Sequence, residues 1–139
     1  MKAYQLSLGY EPIPENAALF AADIVANAAK LGYPTLDYSP ASLETVDGIV
    51  ESFRQDGLTV ERIASILFYF GCYVGEVFVR NGHGTWISKE GTGMQDLAVS
   101  PIVLERGLDH FTNPVDKVFK RMENGEIDSL PFFYKAFTD

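Results

Sequence analysis

The sequence predicts an α+β fold in which helices precede and follow a small antiparallel sheet. Apolar residues recur at three- and four-residue spacing through most of the first 80 positions, a pattern typical of helices with one buried face. A turn cluster at residues 81–84 ends that pattern, and short segments rich in β-branched residues follow it. The chain has 139 residues, 47% of them hydrophobic, which suits one core. We therefore expect a single domain over residues 1–139.

Two helices are expected in the first part of the chain, over about 15–31 and 40–55. The first ends at Gly32, and its apolar stripe is mostly alanine, which lets a neighbouring helix approach closely. For the second, Ser39 is placed as the N-cap and Pro40 at the first helical position, where its missing N–H is not needed.

A third helix is expected over 60–80, with Thr59 as its cap. Its inner stripe is the most apolar of the three, so we expect it to be central. The residues of this stripe are Ile63, Ile66, Leu67, Phe70, Val74 and Phe78.

A sheet of about three antiparallel strands is expected over 85–104. The predicted strands are 85–88, 96–99 and 102–104. Pro101 restricts one of them to an edge or a bend, because proline cannot donate to a ladder.

Two more helices are expected after the sheet, over 114–124 and 130–137. Asn113 followed by Pro114 repeats the signal of a cap and a first-turn proline, and Gly125 ends the first of these helices. Three phenylalanines of the last helix are expected to close the core: Phe132, Phe133 and Phe137.

Composition excludes several classes of function. The formal net charge of −8 opposes binding to nucleic acid, whose affinity depends on Lys and Arg. No run approaches the ~20 apolar residues of a membrane span, and the start of the chain lacks the apolar core of a signal peptide. The single cysteine, Cys72, permits no disulfide within the chain and fits a reducing compartment. We therefore expect a cytoplasmic protein without a nucleic-acid or membrane partner.

One segment of the third helix carries the densest pattern of candidate residues. Gly71 and Gly75 each cost about 0.5–1 kcal/mol relative to alanine inside a helix. We expect compensation through close approach of the alanine-rich first helix or of the sheet, and the alternative is room for a ligand or partner beside Glu76. Glu76 and Arg80 are spaced for an i, i+4 ion pair. If the pair is enclosed beside the strand bearing Trp86, both charges need further hydrogen bonds.

Aromatic residues complete this candidate site. The residues predicted to meet a ligand or partner are Tyr69, Tyr73, Glu76, Arg80 and Trp86. A wider set of aromatic residues either packs in the core or, if partly exposed, forms a protein-binding patch: Tyr33, Tyr38, Tyr69, Tyr73, Phe78 and Trp86.

No residue is predicted to be catalytic, and no metal or cofactor is expected. Cys72 lies in mid-helix, where a small buried thiol is favoured over a nucleophile paired with His83 or His110. A metal site would need these histidines with Glu105 or Asp109, but their spacing is not that of a zinc motif. The turn at residues 81–84 has no following helix and no lysine to bind a phosphate group.

A resemblance to a domain family rests on short motifs. They are Gly71-x-x-x-Gly75-Glu76-x-x-x-Arg80 and, behind it, Trp86. This pattern resembles small bacterial domains of the DUF3806-like type, and residues 113–125 are similar to their closing helix, so that the resemblance covers about 40–137. Those domains have no agreed activity. The resemblance implies their fold and compartment, and it implies that the motif residues form one structural unit.

Three functions follow as hypotheses. The leading one is a non-enzymatic protein-binding module of the immunity or accessory-factor type, since small acidic α+β domains also occur among bacterial immunity proteins. It would meet a basic protein partner through an aromatic surface ringed by acids: Asp37, Glu44, Asp47 and Glu51. One alternative is a small-molecule-binding protein or enzyme with a pocket around Glu76, Arg80 and Trp86. The other is a structural homodimer built on exposed apolar helix faces, so the chain is expected to be a monomer or a homodimer.

Overall fold

A computed structural model describes residues 4–93 and 100–139. The helices in these residues are α1 (Ala17–Lys30), α2 (Ser42–Gln55), α3 (Val60–Arg80), α4 (Pro114–Asn124) and α5 (Leu130–Thr138). The strands are β1 (Thr85–Ser88), β2 (Ile102–Glu105) and β3 (Phe111–Thr112). Short 3-10 helices lie at Pro14–Asn16 and Gly125–Asp128. The predicted α+β class is confirmed, with the five predicted helices in place.

Helix α3 is the central element, as predicted. It packs against α1 on one side and α4 on another, and every residue from Phe70 to Phe78 is buried. Thr59 caps it by accepting a hydrogen bond from the backbone N–H of Arg62. Of the described helices, α3 alone is long and apolar enough to cross a membrane by length and composition, and 72% of its apolar window is buried inside the protein.

The expectation that no segment reaches that apolar content was therefore wrong. A helix that is covered on most of its circumference needs apolar side chains all round, and this gives a core helix the composition of a membrane span. Burial inside the protein accounts for the composition of α3.

Helix α2 begins at Ser42, two residues later than the predicted start at Pro40. The backbone N–H of Ser42 donates to Ser39 Oγ at 3.2 Å, so the serine caps a turn that precedes the regular helix. Ser39 in turn donates through its hydroxyl to Asp37 Oδ1 at 2.6 Å. The sequence signal was that of a helix start, but the first turn is not yet α-helical.

The sheet has the order β1-β2-β3 and is antiparallel throughout, with Trp86 opposite Leu104. The predicted strand at 96–99 lies outside the described residues. The third observed strand, β3, lies beyond the predicted end of the sheet at 104. The backbone N–H of Arg106 donates to the carbonyl of His110 at 2.7 Å, and Gly107 has a φ of +117°, so the chain reverses tightly there. This turn brings Phe111 opposite Glu105.

Three residues predicted to face the core are exposed instead. Ile66, which is 42% exposed, lies at the rim of a cleft between α1 and α3, and Phe137 of α5 is 38% exposed. Phe132 is 70% exposed while Phe133 is buried. Neighbouring residues of a helix point about 100° apart, so a short helix that packs by one face cannot bury both.

Candidate functional site

Two glycines let neighbouring elements approach the backbone of α3. A methyl group added to Gly75 would overlap Cζ2 of the Trp86 indole, which belongs to β1. A methyl group added to Gly71 would lie 2.5 Å from the Cα atom of Val115 in α4. The predicted close approach therefore involves the sheet at Gly75. At Gly71 the neighbour is α4, and neither α1 nor the sheet fills that place.

The carboxylate of Glu76 is buried between α3 and β1. Trp86 donates from its indole Nε1–H to Glu76 Oε2 at 2.9 Å, and Arg80 donates from Nε to Glu76 Oε1 at 3.1 Å. The side chain of Glu76 is 7% exposed, and that of Arg80 is 45% exposed. A buried carboxylate is tolerated when charged and polar donors satisfy its oxygens. Each oxygen of Glu76 has such a donor, so Trp86 and Arg80 form a clamp around it.

Arg80 also stacks on an aromatic ring from outside the helix. Its guanidinium carbon lies 3.6 Å from the centroid of the Tyr38 ring, within the range of a cation–π contact. Tyr38 has a φ of +65°, a backbone conformation that costs a side-chain-bearing residue on the order of 1 kcal/mol.

Hydrogen bonds at both ends of the Tyr38 backbone hold this conformation. Its N–H donates to the hydroxyl of Tyr73 at 2.9 Å, and its carbonyl accepts from Asn81 Nδ2 at 3.0 Å. Burial raises the pKa of the Tyr38 hydroxyl. The platform formed by Tyr38 and Arg80 is fixed by Tyr73 of α3 and by Asn81, the residue that follows α3.

The structure brings together Tyr73, Glu76, Arg80 and Trp86, and it places Tyr69 elsewhere. Tyr73 is fully buried and its hydroxyl lies 2.6 Å from Ser42 Oγ, so it supports the site from beneath. The hydroxyl of Tyr69 accepts from the backbone N–H of Gly9, and its ring packs edge-on against Phe20. Four of the five predicted residues thus form one cluster.

Two residues of this cluster were absent from the predicted site, Tyr38 and Asn81. Tyr38 belonged to the wider aromatic set, and Asp37-Tyr38-Ser39-Pro40 reads as a turn. Residue types typical of a turn predict the local backbone shape, but they do not predict which helix the turn contacts. Within the wider aromatic set, Tyr73 and Phe78 are fully buried, so for these two the core-packing alternative holds and they cannot contribute to an exposed patch.

Two of the acids assigned to a partner surface are directed at a buried arginine of α4. Arg121 is 1% exposed, and its guanidinium contacts Asp47 Oδ1 at 2.9 Å, Asp47 Oδ2 at 3.1 Å and Glu51 Oε1 at 2.9 Å. Asp47 Oδ1 also accepts the backbone N–H of Leu130. This Arg121 cluster joins α2, α4 and α5. Asp37 and Glu44 remain as exposed members of the predicted acidic ring.

The Arg121 cluster predicts a specific loss of stability in acid. Hydrogen bonds from Gln55, Arg121 and Arg54 lower the pKa of Glu51 from 4.5 to about 2. A lowered folded-state pKa stabilises the fold above the unfolded-state pKa, and that contribution disappears as pH falls through the folded-state value. We expect wild type to be more stable than Glu51→Gln at pH 7, and the difference to close between pH 4.5 and about 2. Urea unfolding of both proteins across this range measures it, and a difference that stays constant with pH would contradict the assignment.

The remaining nucleophile and metal candidates are accounted for by their surroundings. Cys72 is buried, and burial raises the pKa of its thiol, which keeps it protonated. The ring of His83 packs edge-on against Tyr134, and His110 is exposed in the turn between β2 and β3. Within residues 4–93 and 100–139, no group of three or more His, Cys, Asp or Glu residues is placed to hold a metal ion.

Comparison of the chain with protein-family models, curated proteins and solved structures finds no match. The resemblance to DUF3806-like domains stays a prediction. The function therefore has to be inferred from the geometry of the clamp and of the surface that it supports.

Proposed function

We propose that this chain is a non-enzymatic protein-binding module, a class that includes immunity and accessory factors, and that the platform of Tyr38 and Arg80 is the centre of its binding surface. One observation carries the proposal: the side chain of Arg80 is 45% exposed although its guanidinium is fixed between the Tyr38 ring and the Glu76 carboxylate. Tyr, Trp and Arg are the residues that most often dominate the energy of protein interfaces.

Preorganisation of the platform favours this function. A long side chain that becomes ordered on binding loses about 0.5–1.5 kcal/mol of conformational entropy. Arg80 is already held by two contacts in the free protein, because its Nε–H is hydrogen-bonded to Glu76 and its guanidinium lies on Tyr38. Trp86, half-buried at the other side of Glu76, holds the carboxylate in place.

The same contacts favour a protein-binding surface over a pocket for a small molecule. Both oxygens of Glu76 accept hydrogen bonds from the chain itself, and the indole of Trp86 fills the space that Gly75 leaves open. The groups that a ligand would need are thus engaged with one another. What the clamp presents outward is the Tyr38–Arg80 platform.

Charge indicates the kind of partner. The net charge is −8, and the exposed Asp37 adjoins Tyr38 while Glu44 lies exposed in the first turn of α2. The carboxylate of Glu76 balances the charge of Arg80, so a basic protein surface would still be attracted by this field, and its rate of association would fall as salt is added. The partner proposed here is therefore a basic protein.

Replacing Arg80 by lysine tests whether binding depends on the planar guanidinium of the platform or only on its positive charge. Lysine keeps the positive charge but cannot stack as a planar guanidinium or keep the Nε–H bond to Glu76. A partner retained from a lysate of the source cells is first identified by mass spectrometry. Its affinity is then measured for wild type, for Arg80→Lys and for Arg62→Lys, a matched control at an exposed position of α3.

We expect Arg80→Lys to weaken binding by roughly tenfold or more, and Arg62→Lys to leave it unchanged. Equal binding by wild type and Arg80→Lys would show that the platform is not the interface. Retention of a small molecule by wild type, with loss on Glu76→Gln, would move the function to a pocket around Glu76.

A further inference from the structure

The N-terminal arm, residues 4–13, is an extended segment that lies across three helices. Side chains facing the core alternate along it, with exposed residues between them. The inward-facing residues are Tyr4, Leu6, Leu8 and Tyr10. The arm therefore has the two-residue period of a β-strand, although it packs on helices.

Aromatic contacts fix both ends of the arm. The ring of Tyr4 lies 5.2 Å from that of Phe119 in α4, and the ring of Tyr10 lies 5.2 Å from that of Phe20 in α1. The hydroxyl of Tyr10 also donates to Asp23 Oδ2 at 2.8 Å. Phe20 and Phe119 are buried, at 0% and 2% exposure. Because large apolar rings are costly to expose, the groove under the arm needs an occupant.

Hydroxyl groups of α3 bind the backbone of the arm between these ends. The N–H of Ser7 donates to Ser65 Oγ at 2.7 Å, and the N–H of Gly9 donates to the Tyr69 hydroxyl at 3.0 Å. Donors two residues apart point to the same side of an extended chain. The groove is thus built for an extended peptide with large apolar residues at alternate positions.

The connection between the arm and α1 favours an extended path. Pro12 and Pro14 restrict the residues before them, Glu11 and Ile13, to extended conformations, and Ile13 has φ −117° and ψ 158°. In the closed form, the arm lies on the groove of its own copy. The Glu11 carbonyl then accepts two hydrogen bonds, from the N–H of Ile13 at 2.9 Å and from the side chain of Asn16 at 3.0 Å. Swinging the arm outward changes this short hinge and leaves the groove itself unaltered.

We propose that the groove also accepts the N-terminal arm of a second copy of this chain, so that two copies exchange arms and form a dimer. The occupant is identified by the groove itself, which already binds this sequence through its rings and its backbone N–H groups. Exchange retains every contact of the arm and alters only the hinge, which makes it a low-cost route to a dimer. The proposal concerns Ser65, Tyr69 and the arm, and it does not depend on the platform of Tyr38 and Arg80.

The concentration at which exchange occurs can be bounded. An arm on a short connection is present at its own groove at an effective concentration on the order of millimolar. The arm of a second copy competes for the groove when the protein concentration approaches that value. It competes at a lower concentration if Pro12 and Pro14 in the hinge oppose closure of the arm. The dimer should therefore grow with protein concentration up to about the millimolar range.

The test uses the full chain as a mixture of isotope-labelled and unlabelled copies near that concentration. Light scattering measures whether a species of twice 15.4 kDa forms, and isotope-filtered NOE spectroscopy measures whether the Tyr10 and Phe20 rings of different copies are in contact. We expect both signals. A monomer over the whole range, or a dimer whose Tyr10–Phe20 contacts lie only within one copy, would overturn the proposal.

A pair of variants tests the same inference independently. Asn16→Ala removes the side-chain hydrogen bond that the Glu11 carbonyl accepts in the closed form, and Asn27→Ala is a matched control at an exposed position of α1. The arm makes the same contacts with the groove in the closed form and in the exchanged dimer, so only a change at the hinge shifts the balance between them. We expect the dimer to strengthen by roughly tenfold in Asn16→Ala, because two closed copies each lose a bond, and to be unchanged in the control. A dimer of wild-type strength in Asn16→Ala would also overturn the proposal.

Discussion

Replacing Arg121 by methionine is expected to lower the free energy of unfolding by about 3–5 kcal/mol, because removing one partner of a buried ion pair leaves the other charge uncompensated. Methionine fits the space of the arginine stem but leaves Asp47 without the two hydrogen bonds that it receives from the guanidinium. Glu51 loses one donor and keeps Arg54 and Gln55. The loss therefore arises mainly at Asp47, whose partly buried charge stays without its cation.

Urea unfolding of wild type and Arg121→Met measures this effect. Arg62→Met serves as the control for replacing an arginine with methionine at an exposed helix position, and it should change stability by less than about 0.5 kcal/mol. Adding Asp47→Leu to Arg121→Met should recover part of the loss, since an apolar pair of similar volume can replace a buried ion pair. A loss below about 1 kcal/mol in Arg121→Met would mean that the cluster contributes little.

Replacing Gly71 by alanine is expected to destabilise the fold by about 2–3 kcal/mol. The added methyl group would lie 2.5 Å from the Cα atom of Val115 and 2.9 Å from its Cβ atom, so α4 itself would have to move. No side-chain rotation can relieve contact with a backbone atom. The gain in helix propensity from glycine to alanine, about 0.5–1 kcal/mol, is smaller than this penalty.

Gly48 provides a matched control within the same chain. It lies inside α2, and a methyl group added there would have no neighbouring atom within 4 Å. Gly48→Ala should therefore stabilise the fold by about 0.5–1 kcal/mol, the opposite sign to Gly71→Ala. Equal shifts in the urea midpoint for the two variants would contradict the close packing of α4 on α3.

Local patterns in the sequence were sufficient to predict most of the secondary structure and part of the site. Periodicity located the helices, and the i, i+4 spacing of Glu76 and Arg80 predicted their contact, which the structure contains. Gly75 indicated a close neighbour because a helix-interior glycine carries a cost that has to be offset. These signals act within one element, or between one helix and the strand that follows it.

Contacts between distant segments could not be predicted in this way. Arg121 is separated from Asp47 by 74 positions, and no periodic pattern relates them. Tyr38 meets Arg80 because a turn between α1 and α2 reaches the end of α3, which depends on how three helices pack. Strand β3 has two residues, too few for alternation to be visible. Tertiary packing decides each of these features, and local propensity does not encode it.

The position of Trp86 gives the protein a built-in spectroscopic probe. It is the only tryptophan of the chain, and its indole N–H is bonded to a buried carboxylate while its ring lies on Gly75. Its fluorescence emission therefore reports on the contact between α3 and β1 without any added dye. A partner that seats on Arg80 would alter the same emission through Glu76, so that docking and unfolding can be followed by one optical signal.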